Sequence, residues 1–139
     1  MRILFLDDMK SRRDEFRKNS IGHSVDFAVN AQECLALLKK GEYDVFYLDH
    51  DLESDHYQSN EDHHEDGRFV ARQMVDMKQH HGKTVIVHSL NPDGRQNIRS
   101  ILKDHYTVYL GPENFRVAEI WKVDATIVLQ AIGLLPKTE

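Results

Sequence analysis

Three ionisable residues, Asp49-His50-Asp51, follow directly on the apolar run Val45-Phe46-Tyr47-Leu48, and Leu52 closes the stretch. Such a run reads as a buried strand whose carboxyl end opens into a polar site. Successive side chains of a strand point to opposite faces, so Asp49 and Asp51 share a side while His50 points away. Two carboxylates converging at a strand end make a polyanionic, metal-attracting site centred on Asp49. A second acidic pair, Asp7-Asp8, follows the apolar run Ile3-Leu4-Phe5-Leu6 in the same way. Gathered carboxylates repel one another unless a cation or a proton intervenes, so Asp7, Asp8, Asp49 and Asp51 are the expected ligands of a divalent metal. Oxygen ligands alone suit magnesium or manganese; a histidine joining them shifts the preference toward manganese, zinc or iron.

His88-Ser89-Leu90-Asn91-Pro92 is the other chemically loaded strand end. His50 and His88 each end a buried strand and are expected to approach one another across the sheet. Imidazole works on either side of a proton transfer near neutral pH, so one of them is expected to protonate a leaving oxygen while the other activates water or ligates metal, with Asp49 as their catalytic companion. Alternation adds a caution: if Asp49 faces the pocket, His50 need not. Ser89 has no base placed to activate it by sequence adjacency alone, so Ser89 and Asn91 are expected to hydrogen-bond phosphate oxygens. Backbone N–H groups of the turn that follows add to an anion site.

These residues need a sheet to hold them. Apolar runs of strand length lie within 3–6, 43–48, 84–88 and 106–110, and 23–29 alternates weakly as a further strand, each followed by a helical pattern. Ser11 offers a cap to a helix over 12–19, and Asn30 with Glu33 resembles a capping box for a helix that Gly41 ends, with Ala31, Cys34, Leu35 and Leu38 as its buried stripe. Phe69, Val70, Met74 and Met77 mark a third helix stopped near Gly82, with His80 and His81 in its last turn. Pro92 suits a first helical position after Asn91, ahead of Ile98, Ile101 and Leu102. Ala118, Trp121, Ala125, Leu129 and Ile132 form a last stripe closed by Gly133; Trp121 and the methionines read as core. Residues 53–66, carrying His56, His63 and His64, have no apolar periodicity and read as a functional loop, a lid beside the site. Strands alternating with helices imply an α/β fold, a doubly wound five-stranded parallel sheet, and the order 2-1-3-4-5 sets the ends of the first and third strands side by side.

At 139 residues the chain fits one domain spanning 1–139. A net charge of −5, with Lys and Arg scattered, gives no reason to expect nonspecific nucleic-acid binding. One cysteine, Cys34, precludes an internal disulfide and reads as core. The apolar start is too short for a signal peptide, and no run reaches membrane-spanning length, so a cytoplasmic protein without a membrane partner is expected.

The pattern as a whole resembles a receiver domain, the family that accepts a phosphoryl group in two-component signalling. Asp7 and Asp8 resemble its magnesium-holding acidic pair, Asp49 falls where its phosphoacceptor aspartate lies, Ser89 resembles its Ser or Thr switch residue, and Asp66-Gly67 resembles its Asp-Gly turn. Leu110-Gly111-Pro112 stands where that family carries a Lys after the fifth strand, so the cation that would steady an acyl phosphate on Asp49 is missing there. Leu48-Asp49-His50-Asp51-Leu52 with His88-Ser89-x-Asn91-Pro92 is similar to a divergent group described as cyclic-phosphate-processing receiver domains. That resemblance implies a metal-dependent phosphoesterase acting on a small phosphorylated or cyclic-phosphate substrate, a nucleotide or an RNA end. The competing expectations are a stand-alone receiver, phosphorylated on Asp49 and signalling through a protein partner, and a degenerate receiver-like module that only binds a nucleotide or a protein.

Overall fold

The computed structural model describes residues 1–52 and 66–137; the lid expected over 53–66 lies outside them except for Asp66. Five parallel strands, β1 (Arg2–Leu6), β2 (Ser24–Ala28), β3 (Val45–Leu48), β4 (Thr84–Val87) and β5 (Thr107–Leu110), stand in the order β2-β1-β3-β4-β5. The helices between and after them are α1 (Lys10–Lys18), α2 (Ala31–Lys40), α3 (Gly67–Met77), α4 (Pro92–Leu102) and α5 (Ala125–Ala131). Register Leu6↔Leu48 between β1 and β3, and Leu48↔Val87 between β3 and β4, brings three strand ends level. Asp7, Asp49 and His88 are the residues that follow them.

Each strand serves two cores because its side chains alternate. Leu4, Leu6, Phe46, Leu48, Val85 and Val87 pack under α2, α3 and α4, with Leu38, Val70, Met74 and Ile98. Ile3, Phe5, Val45, Tyr47 and Ile86 face the other way, onto Phe16 of α1 and Ala125, Val128 and Leu129 of α5. Full burial of each Leu, Ile or Phe contributes about 1.5–3 kcal/mol, so either core outweighs any single polar contact at the site. Cys34 is wholly buried in the first core, where desolvation pushes its thiol up to about 12.

Capping explains where several helices begin. Asn30 Oδ1 accepts from Glu33 N at 2.8 Å, while Glu33 Oε1 accepts from Val29 N at 3.1 Å, a reciprocal cap shifted by one residue from the usual box. Asn91 Oδ1 accepts from Gly94 N at the start of α4, with Pro92 in the first turn. Other boundaries differ from expectation. Ser11 lies inside α1, whose cap position is Met9, because the helix starts at Lys10 with no side-chain cap bond. α3 ends at Met77, so His80 and His81 lie in the turn beyond it; His80 is buried and its Nε2 meets Gly41 O at 3.2 Å. The last stripe is broken: Ile120–Lys122 is a 3₁₀ turn, and Asp124 caps a separate α5 through Thr126 N. Met9 is exposed instead of core. Among the described residues no helix is long and apolar enough to cross a membrane.

Candidate functional site

Alternation at the level strand ends decides which side chains meet. Asp7 continues the parity of Ile3 and Phe5, Asp49 that of Val45 and Tyr47, and His88 that of Ile86, so all three turn toward the α1 side of the sheet. Asp8 joins Asp7 and Asp49: among the described residues these three form the one carboxylate group able to hold a metal ion, with one oxygen from each within 4.8 Å of the others. An all-oxygen donor set of this kind fits a hard divalent cation such as magnesium or manganese. The chain's electrostatics point the same way. Burial, and then the charge of Asp7, push the Asp49 carboxyl up to about 8, and burial raises Asp7 as well. A cation would relieve the repulsion that otherwise holds a proton there.

Above this cluster opens a pocket of about 340 Å³. Asp8, Asp49 and Asp51 line it together with Met9, Arg12, Ser89 and Leu90. His50 is turned from it. The ring follows the parity of Phe46 and Leu48 toward α3 and α4, where a Cβ on Gly94 would stand 2.4 Å from His50 Cγ, so only glycine lets α4 pass this close. A Cβ on Gly67 would likewise stand 2.3 Å from Asp49 O, and Gly67 N donates to His50 O at 2.9 Å. His50 Nδ1 is 2.6 Å from Asp51 Oδ1, and its Nε2 is 3.8 Å from Asp66 Oδ2. Asp51, with its side chain 49% exposed, also faces Asn91 Nδ2 at 3.4 Å. It therefore lies on the pocket wall outside the three-carboxylate group, engaged by His50 and Asn91.

His50 and His88 do not approach one another, because they leave the sheet on opposite faces. His88 is wholly buried beneath the site, stacked on Phe5 with ring centroids 4.8 Å apart and edge-on to Trp121. Its Nε2 donates to Leu6 O at 3.0 Å, which leaves Nδ1 as the unprotonated nitrogen of a neutral ring, 3.6 Å from Asp7 Oδ2 and without a hydrogen bond. Desolvation pushes its imidazole down to about 3. The ring expected to act as a general acid or base is thus neutral, buried and placed behind Asp7, outside the lining of the pocket. Asp7 itself is wholly buried and accepts from Met9 N at 2.9 Å.

Ser89 lines the pocket, its Oγ accepting from Asn91 N at 3.1 Å. Asn91 spends its amide oxygen on the α4 cap and its amide nitrogen on Asp51. Arg12 was missed by sequence reasoning. Its Nη1 lies 3.5 Å from Asp7 Oδ2 and 3.8 Å from Asp49 Oδ2, and its guanidinium carbon sits 4.5 Å over the Trp121 ring. The site thus holds a cation after all, delivered by α1 instead of the fifth strand. Its place in the first turn of the helix that follows Asp7-Asp8 was the only local hint of this. After β5, where a Lys was looked for, Gly111–Phe115 forms a π turn whose Glu113 is gripped by Arg95 at 2.8 Å, and Arg95 Nη1 also holds Ser89 O at 3.0 Å.

The family model described as Cyclic-phosphate processing Receiver domain matches residues 2–104. No curated protein matches the sequence. Among solved structures, a CheY-like response regulator receiver domain protein from Methanospirillum hungatei JF-1 is 16% identical with a TM-score of 0.60, over 94% of this chain and 89% of that one. Response regulator protein TrrA from Thermotoga maritima, solved in complex with Mg²⁺ and BeF, is 25% identical with a TM-score of 0.55, over 78% of this chain and 85% of its own. The Mn²⁺-bound form of response regulator Rcp1 is 16% identical with a TM-score of 0.60, over 99% and 96%.

Proposed function

Because the chain belongs to the cyclic-phosphate processing receiver domain family, we propose that it is a metal-dependent phosphoesterase that opens a cyclic phosphate carried by a nucleotide or an RNA end. The observation that carries this reading is the Asp51 carboxylate, facing the pocket beside Asp8 and Asp49 and engaged from behind by His50 and Asn91. Asp7, Asp8 and Asp49 hold the divalent cation, magnesium or manganese, as the metals in the solved receivers TrrA and Rcp1 suggest. When bound, it supplies Lewis acidity toward a phosphoryl oxygen.

The remaining work falls to side chains of this chain. A water oxygen attacks phosphorus as one ring P–O bond breaks; Asp51 takes a proton from that water and then returns it through solvent to the leaving alkoxide, so one cyclic diester and one water give one monoester with a free hydroxyl and Asp51 ends as it began. Asp51 is the catalytic base, while His50 Nδ1 and Asn91 Nδ2 are positioning groups that fix its orientation. Ser89 Oγ, which also lines the pocket, offers a hydrogen bond to a phosphate oxygen.

Hydrolysis of a panel of cyclic nucleotides and RNA ends bearing cyclic phosphate, with magnesium or manganese present, tests this. Asp51→Asn is expected to cut turnover by roughly 100-fold to 10,000-fold, the usual worth of a general base. His50→Ala is expected to cut it less. Arg12, 3.8 Å from Asp49, favours one second reading, a receiver phosphorylated on Asp49 that acts through a protein partner. Ready phosphorylation of Asp49 by a small phosphodonor, with no panel member hydrolysed, would select that reading.

A further inference from the structure

We infer that Arg12 is the phosphoryl-recognition residue of this pocket, released to a ligand's phosphate when a metal takes over the carboxylates it now neutralises. The inference rests on the reading of the pocket as a site for a metal and a phosphoryl group. Its observations are separate. The guanidinium spans two carboxylates, at 3.5 Å from Asp7 and 3.8 Å from Asp49, which are the same two that a metal would share with Asp8. Neither distance is that of a tight bidentate pair, so the fork is not locked on either partner. The buried Trp121 ring lies 4.5 Å from the guanidinium carbon, a cation–π contact that the head keeps if it turns within its own plane.

Arg12 is 17% exposed and forms, with Met9, the ridge between the acidic pocket and a second hollow of about 320 Å³. A ligand can therefore reach the guanidinium while the rest of the molecule lies to either side. A planar fork carrying five donors matches phosphate oxygens, and metal binding leaves it with weakened carboxylate partners. Arg12 then does two opposed things. It competes with the metal for Asp7 and Asp49, and it binds the phosphate that the metal brings in.

The opposed signs make the test. Calorimetric titration of the whole chain with Mg²⁺ alone, and then with inorganic phosphate at saturating Mg²⁺, is compared for the wild type, Arg12→Gln and Arg12→Lys. Arg12→Gln is expected to tighten Mg²⁺ severalfold and to weaken phosphate by roughly 10-fold to 100-fold, the worth of charge-assisted hydrogen bonds, with Arg12→Lys between the two for phosphate. Equal phosphate affinity in wild type and Arg12→Gln overturns the inference, and so does loss of both Mg²⁺ and phosphate in the Gln variant, which would mark a structural residue. Failure of the wild type to retain phosphate overturns it as well. Hydrolysis of the cyclic-phosphate panel by the same wild-type preparation shows whether the phosphoesterase reading falls with it.

Discussion

Asp49 is pulled in two directions by its neighbours: burial and the Asp7 charge raise its carboxyl to about 8, whereas Arg12 and the His50 N–H favour its ionised form. At neutral pH the proton and a metal ion therefore compete for the same oxygens, and metal uptake must expel the proton. Metal affinity is expected to rise as pH climbs toward about 8, with release of close to one proton per ion bound at pH 7. Asp49→Asn is expected to weaken Mg²⁺ and Mn²⁺ by at least roughly 10-fold and to abolish most of that proton release. Titrations in buffers of different ionisation enthalpy measure both quantities. Equal affinity in the two proteins would remove Asp49 from the ligand set. The choice among these neighbours was partly legible in the sequence, since parity alone sends Asp7, Asp49 and His88 to one face and His50 to the other. The burial of His88 was not, because a histidine at a strand end looks the same whether the next layer is solvent or Trp121.

At the scale of elements, the site depends on how closely α3 and α4 approach the turn after β3. Gly94 lies against the His50 ring, and a methyl group there would stand 2.7 Å from Nδ1, the atom that meets Asp51. Gly94→Ala must push the ring away, and overpacking of this kind costs about 1–3 kcal/mol. Chemical unfolding should show that loss, and cyclic-phosphate turnover should fall with it while Mg²⁺ affinity is kept, because Asp7, Asp8 and Asp49 lie on the other face. Unchanged stability and turnover would mean that α4 yields instead, and the His50–Asp51 pair would lose its positioning role. The strands and the caps at Asn30 and Asn91 were readable because unbroken apolar runs and Asn-led helix starts are local signals, and the strand order followed from the regular alternation of strand and helix. Two features were not local. Ala118 and Trp121 have helical spacing with Ala125, yet the Asp124 side chain caps a new helix through Thr126 N and so divides the stripe. Arg12 reaches the site only because α1 packs against the turn bearing Trp121, a contact that no window of sequence contains.

For the whole molecule, these buried groups set a stability profile with a definite sign. Asp49 is raised in the folded state from 3.8 to about 8, so its contribution is fully present below about pH 4 and is lost as pH rises through 8; Asp7 acts in the same direction. His88 is lowered from 6.5 to about 3, so its contribution is present above pH 6.5 and is lost as pH falls toward 3, and the lowered His23 and His80 add to that loss. The two trends oppose each other below pH 6.5, and above it the carboxylates act without that offset. Protein kept free of divalent ions by a chelator should therefore show little net change in Tm between about pH 4 and 6.5, where the two trends offset, and lose stability from about pH 6.5 toward about pH 8.5. Asp49→Asn removes one buried charge and should flatten the alkaline side, leaving the variant more stable than the wild type at pH 8.5; each 1 kcal/mol is worth roughly 4 °C in a chain of this size. Added Mg²⁺ or Mn²⁺ should do for the wild type what the substitution does, raising Tm more at pH 8.5 than at pH 6, since a ligand that binds only the folded state stabilises it in proportion to its affinity there. Thermal scans of both proteins across pH, with chelator and with metal, measure all four curves. A metal-induced rise that is equal at the two pH values, or an alkaline decline that survives in Asp49→Asn, would mean that the carboxylates at the ends of β1 and β3 are not what couples proton, metal and fold.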